Sequence, residues 1–129
     1  MADVGMKRTV KASYDEALAR IPELLKEEGF GVLTRIDVKQ TLKEKIGVDF
    51  RRYQILGACN PKFAHQALST EVGIGVLLPC NVAVWEGDDG RTVVAAVDPM
   101  QTIAAQDPRL REVAGQVRER LERALSKLA

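Results

Sequence analysis

The sequence predicts a single α+β domain over residues 1–129, and three observations carry that prediction. Along 108–128, Leu110, Val113, Ala114, Val117, Leu121, Ala124, Leu125 and Leu128 recur at helical spacing and form one apolar stripe. Several short runs, alternating or wholly apolar and bounded by Gly, Pro, Asp or Ser, read as strands. Helical and strand patterns follow one another as β-α-β-α-β-α-β-β-α with no low-complexity linker between them. With 46% hydrophobic and 29% charged residues, the composition is that of a folded domain with one core.

Residues 5–12 alternate Met6, Arg8, Val10 and Ala12 against Lys7, Thr9 and Lys11, a strand whose imperfect apolar face suits a sheet edge. Ser13 and Glu16 have capping-box spacing, and Tyr14, Ala17, Leu18, Ile21, Leu24 and Leu25 predict a helix over 14–28 that Pro22 should kink or deprive of one hydrogen bond. Gly29 stops it. Gly31–Ile36 is a second strand with Val32, Thr34 and Ile36 on one face, and Asp37 with Gln40 opens a short helix over 38–46 that Gly47 closes. Tyr53–Ala58 is a short apolar run that suits a buried central strand feeding into Cys59. Asn60 and Pro61 form an N-cap and first-position pair for a helix over 61–69 with Ala64, Ala67 and Leu68 inward.

The stretch Glu71–Pro79 is apolar but broken by two glycines and a proline, so it reads as a packed loop and a contact surface. Asn81–Glu86 and Arg91–Val97 flank Gly87-Asp88-Asp89-Gly90 and read as an antiparallel hairpin. Pro99–Ala105 offers one or two helical turns before Asp107 and Pro108 start the last helix. On that helix Arg118 and Glu122, and Glu119 and Arg123, stand at i,i+4 spacing. That helix supplies the cover a sheet needs.

Nineteen basic residues against eighteen acidic ones leave a formal charge of +1, so no overall field draws the chain to nucleic acid or to an anionic membrane. Residues 1–6 lack the charged and apolar regions of a signal peptide, and no apolar run reaches the ~18 residues of a membrane span, so no membrane partner and a cytoplasmic location are the expectations. The two cysteines are then free thiols.

Both cysteines and both asparagines fall in two Cys-Asn dipeptides, Cys59-Asn60 and Cys80-Asn81, each with a proline within two residues of the cysteine. These four residues are the candidate ligand-binding or reactive set. Cys59 precedes a helix start, where unpaired N–H groups favour a thiolate or an anion; the plain alternative is that both thiols fill space beside tight turns. His65, the only histidine, would complete a Cys59, His65, Cys80 set for a soft or borderline metal ion, against its reading as a solvated side chain. Thiol redox work between Cys59 and Cys80 requires their Cα atoms within about 7 Å. Nothing in the sequence marks a hydrolase or phosphoryl-transfer motif, no cofactor is implied, and Asp37 and Asp98 read as caps rather than as acid–base groups.

Gly29-Phe30-Gly31-Val32-Leu33-Thr34, Ile36-Asp37-Val38, then Tyr53, Ile55-Leu56-Gly57-Ala58-Cys59-Asn60-Pro61, then Gly75-Val76-Leu77-Leu78-Pro79-Cys80-Asn81-Val82 and Asp98-Pro99 together resemble the bacterial and archaeal domain of unknown function family 302. The likeness spans nearly the whole chain. It implies a mainly antiparallel sheet covered by helices in a TATA-binding-protein-like arrangement, association as a homodimer, and paired cysteines at Cys59 and Cys80, with no activity attached. The apolar segment Val72–Leu78 also points to a homodimer, as the surface a second copy would cover. The functional expectation is therefore a homodimeric α+β domain that takes a small molecule at a Cys-Asn corner, with a thiol redox or soft-metal protein as the alternative.

Overall fold

The computed structural model describes residues 3–128. Its strands are β1 (Met6–Val10), β2 (Gly31–Asp37), β3 (Tyr53–Cys59), β4 (Cys80–Glu86) and β5 (Thr92–Ala96). Its helices are α1 (Tyr14–Glu27), α2 (Val38–Ile46), α3 (Pro61–Thr70) and α4 (Pro108–Ser126). Three short 3-10 segments, Val72–Leu77, Pro99–Gln101 and Ile103–Gln106, occupy the two places read as a packed loop and as isolated turns.

The five strands form one antiparallel sheet in the order β1-β5-β4-β3-β2, so β2 to β5 are a simple meander and β1 returns to pair with β5 at the far edge. The alternating burial of β4 and β5 sets the two faces of the sheet. Val82, Val84, Val94 and Ala96 point into the core, while Ala83, Trp85, Val93 and Ala95 point the other way. On the core face, α1 contributes Ala17, Ile21 and Leu25 and α4 contributes Leu121, Ala124 and Leu125, none of them accessible to solvent. The opposite face is not covered by these helices: Tyr53, Ile55, Ala83, Trp85, Val93 and Ala95 are half-buried there, and Ile36 is exposed. Tyr53 and Trp85 stack nearly parallel on it, their ring centroids 5.3 Å apart.

Helix starts follow the caps that the sequence offers. Ser13 accepts a hydrogen bond from the Glu16 N–H, Asp37 from Gln40 and Asp107 from Arg109. Gly47 ends α2 at φ 68°, a backbone shape that glycine takes without the steric cost a Cβ brings. Helix α1 runs on through Pro22, which supplies no N–H to the Leu18 carbonyl one turn earlier.

Three expectations are corrected. In β2 the pairing register shifts between Val32 and Thr34, so Val32 faces the core opposite Ala58 while Thr34 and Ile36 lie on the open face opposite Gly57 and Ile55. An extra residue at Leu33 breaks the period-2 alternation. In α3, Ala64, Ala67 and Leu68 do turn inward, Ala67 and Leu68 packing against the core, but they are only half-buried and the buried residue is Phe63, which the expected face left out. On α4 the charges bond across elements rather than along the helix: Arg118 pairs with Asp98, Arg123 with Glu28, and Glu122 accepts from Arg8.

Candidate functional site

Cys59 closes β3 and Cys80 opens β4. Ala58 is the register partner of Cys80, which sets Cys59 one residue past that pair on the neighbouring strand. Both thiols are free and line one cavity of about 80 Å³ where the sheet, α3, α4 and the 3-10 segments meet. Phe30, Ala58, Phe63, Ile74, Leu110 and Val113 form its buried apolar walls, and half-buried Ala64, Ala67, Leu77, Leu78 and Ala104 also line it. No lining residue is charged. Burial in this wall pushes the Cys80 thiol up to about 11, with the neighbouring Cys59 adding to the rise, because a thiolate there would lose its hydration and face a second sulfur.

Asn60 is buried and also lines the cavity, but its side chain does not cap α3. Its Nδ2 instead donates across the chain to the Glu28 carbonyl at 3.1 Å, held against Gly29, whose φ of 89° turns the α1 end into β2. The first bond of α3 runs from the Ala64 N–H to the Asn60 carbonyl. The Lys62 and Phe63 N–H groups thus lack the side-chain acceptor that a residue in the Asn60 position ordinarily gives.

Glu28 shares this corner from outside. Its carboxylate is nearly buried and takes a two-toothed grip from Arg123 at 2.8–3.0 Å, which holds its carboxyl below the usual range against the opposing pull of desolvation. One salt-bridged hinge therefore ties the end of α1, the start of α3 and the last turns of α4 together. Asp98 acts as a cap, accepting from the Met100 N–H, and also pairs with Arg118.

The structure does not gather all of the predicted residues. Asn81 is exposed on the face of β4 opposite Cys80 and Val82, because successive strand residues point to opposite sides of a sheet. The two Cys-Asn dipeptides are thus not equivalent. His65 is exposed and outside the cavity, and among the described residues no three of His, Cys, Asp and Glu stand close enough to share a metal ion, so Cys59, His65 and Cys80 do not form a ligand set.

The segment Val72–Leu78 divides by residue. Ile74 is buried, Leu77 and Leu78 line the cavity, and Val72 and Val76 stand outside. Sequence reasoning missed Phe30, Phe63 and the first turns of α4 as cavity walls; the one available signal was the run of apolar residues in a segment too broken by glycine to be a regular core element. No helix among the described residues is long and apolar enough to cross a membrane.

Residues 6–128 match the family described as domain of unknown function DUF302. The chain belongs to the DUF302 family. Its fold is shared with the crystal structure of an uncharacterized conserved DUF302 protein from Bacillus stearothermophilus, at 33% identity and a TM-score of 0.91, over 99% of this chain and 100% of that one. No curated protein matches. The DUF302 assignment and the sheet agree with the expected α+β class, and the cavity at the Cys59 and Cys80 strand ends is concave with mainly apolar walls.

Proposed function

We propose that this DUF302 domain is a homodimeric binding module that takes a small apolar molecule into the cavity at the Cys59–Cys80 corner. The observation that carries the reading is the cavity itself, which combines uncharged apolar walls with a few polar groups, two thiols and Asn60, at its sheet end. At Cys80, binding is favoured over thiol chemistry, because burial among apolar walls raises the thiol and keeps it protonated at neutral pH.

A homodimer is supported by the open sheet face rather than by Val72–Leu78. Strands of five to seven residues set about 4.8 Å apart give that face a footprint on the order of 500 Å². Exposed Phe50, its ring centroid 6.2 Å from that of Tyr53, extends it toward the ~800 Å² per partner of a standard interface. A second copy related by a two-fold axis presents the same apolar face and satisfies both at once.

Ligand binding is tested by titrating a mixture of small hydrocarbons and following methyl resonances by NMR. Shifts confined to Ile74, Leu77, Leu78 and Val113 are expected, and Ala67→Leu, which fills the cavity, should abolish them while leaving the fold intact. Shifts spread over the open face, or none, would remove the reading.

A further inference from the structure

We infer that α2 is a clasp for a second copy of this chain: the apolar stripe of each α2 docks on the open sheet face of the partner. The inference rests on the homodimer reading above and names the element that completes its interface. Helix α2 is closed at both ends, with Asp37 accepting from the Gln40 N–H at its start and Gly47 terminating it, yet none of its nine residues is buried in its own chain. A helix of that length falls below the ~12–15 residues at which isolated helices are even marginal in water, and helices in proteins owe most of their stability to the packing of an apolar face. Val38, Leu42 and Ile46 line up at i, i+4 and i+8 as such a face; the first two are half-buried and Ile46 is 66% exposed. Gln40 and Glu44, bonded to each other, hold the far side.

Both ends of α2 are rooted at the rim of the open face. Ile36 is exposed on that face, and Asp37, the next residue, both ends β2 and caps α2. On the way back, the Val48 N–H donates to the Leu42 carbonyl, Lys43 pairs with Asp49, and the Lys39 ammonium donates to the Phe50 carbonyl, which folds residues 48–50 along the helix. The Phe50 ring then comes within 6.2 Å of Tyr53, the residue that stacks on Trp85 in the open face.

A second copy is the occupant because one chain carries both halves of the contact, an apolar stripe without a surface and an apolar surface without a cover. A two-fold axis matches each to its counterpart, twice over. Area points the same way. The sheet footprint, on the order of 500 Å², stops short of the ~800 Å² per partner of a standard interface. Nine residues rising about 1.5 Å each, in a helix about 10 Å wide, add roughly 140 Å² per copy, and exposed Val48 beyond the helix adds more.

The test starts with analytical ultracentrifugation of the wild type, Ile46→Asp and Gln40→Glu. Ile46 is not buried in its own chain, so Ile46→Asp should keep the wild-type circular dichroism spectrum. It should raise the dimer dissociation constant on the order of a hundredfold, the loss of two buried isoleucines, while Gln40→Glu on the far side leaves it unchanged. Wild-type dimers are then mixed from copies labelled only at isoleucine methyls and copies labelled only at alanine and valine methyls, so that every NMR cross-peak between the two sets runs between copies. Cross-peaks from Ile46 to Ala83, Val93 or Ala95 are expected. Cross-peaks from Ile55 alone, with Ile46→Asp still dimeric, would overturn the clasp and leave a homodimer joined sheet to sheet. Cross-peaks from Ile46 only to Val38 or Val48 would overturn it in favour of α2 paired with α2. A wild-type monomer would overturn both this inference and the homodimer reading.

Discussion

At Cys80 an apolar wall and a neighbouring sulfur act in the same direction, and the outcome is measurable as reactivity. In Cys59→Ser, where Cys80 is the only thiol, alkylation should be slow at neutral pH and should keep accelerating toward pH 11 rather than levelling near the ordinary 9.0. A plateau near 9 would mean that Cys80 is hydrated and that the cavity is not closed around it. Glu28 shows the opposite shift. Its carboxyl is held below the usual 4.5 by Arg123, so the unfolded chain binds a proton before the folded one does as pH falls. The stability this contributes is present above pH 4.5 and is lost as pH drops through the lower folded value. Glu28→Gln should lower the melting temperature at pH 7 and flatten its decline in acid; an unchanged acid limb would show that the Arg123 grip is incidental.

Among the elements, β3 carries the tightest steric constraint. A Cβ on Gly57 would stand 2.8 Å from Pro79 Cγ and closer still to the Thr34 Oγ1, so β2 and the turn entering β4 close over this position. Gly57→Ala should cost about 1–3 kcal/mol in urea unfolding, the usual range for overpacking, and a neutral result would mean that the turn moves freely. Element boundaries were largely legible in the sequence because they rest on local chemistry: Ser13, Asp37 and Asp107 each bond an N–H two or three residues ahead. What stayed hidden was non-local. Asn60 looks like a cap, and only the arrival of the Glu28 carbonyl draws its amide away. Arg118 and Arg123 look like partners of their own helix, and only the fold brings Asp98 and Glu28 within reach. The split of Cys80 from Asn81 was readable in principle from strand alternation, but the repeated dipeptide suggested a symmetry that a pleated strand cannot keep.

For the molecule as a whole, one sheet face packed and one face bare defines where a second copy would sit. Light scattering at micromolar concentration should give a dimer mass, and Ile55→Asp, a charge in the middle of the open face, should shift it to monomer while Val76→Asp does not. A wild-type monomer, or a dimer disrupted by Val76→Asp alone, would move the interface or remove it. The strand order has a further consequence in time. As the chain leaves the ribosome, β2, β3, β4 and β5 can zip in succession, each against the strand made just before it. β1, although synthesised first, has no strand partner until residues 92–96 appear, and α4, which closes the core over it, comes last of all. The oldest strand in the sheet is thus the last to be tied in, and substitutions in β1 should speed unfolding while leaving the refolding rate nearly unchanged.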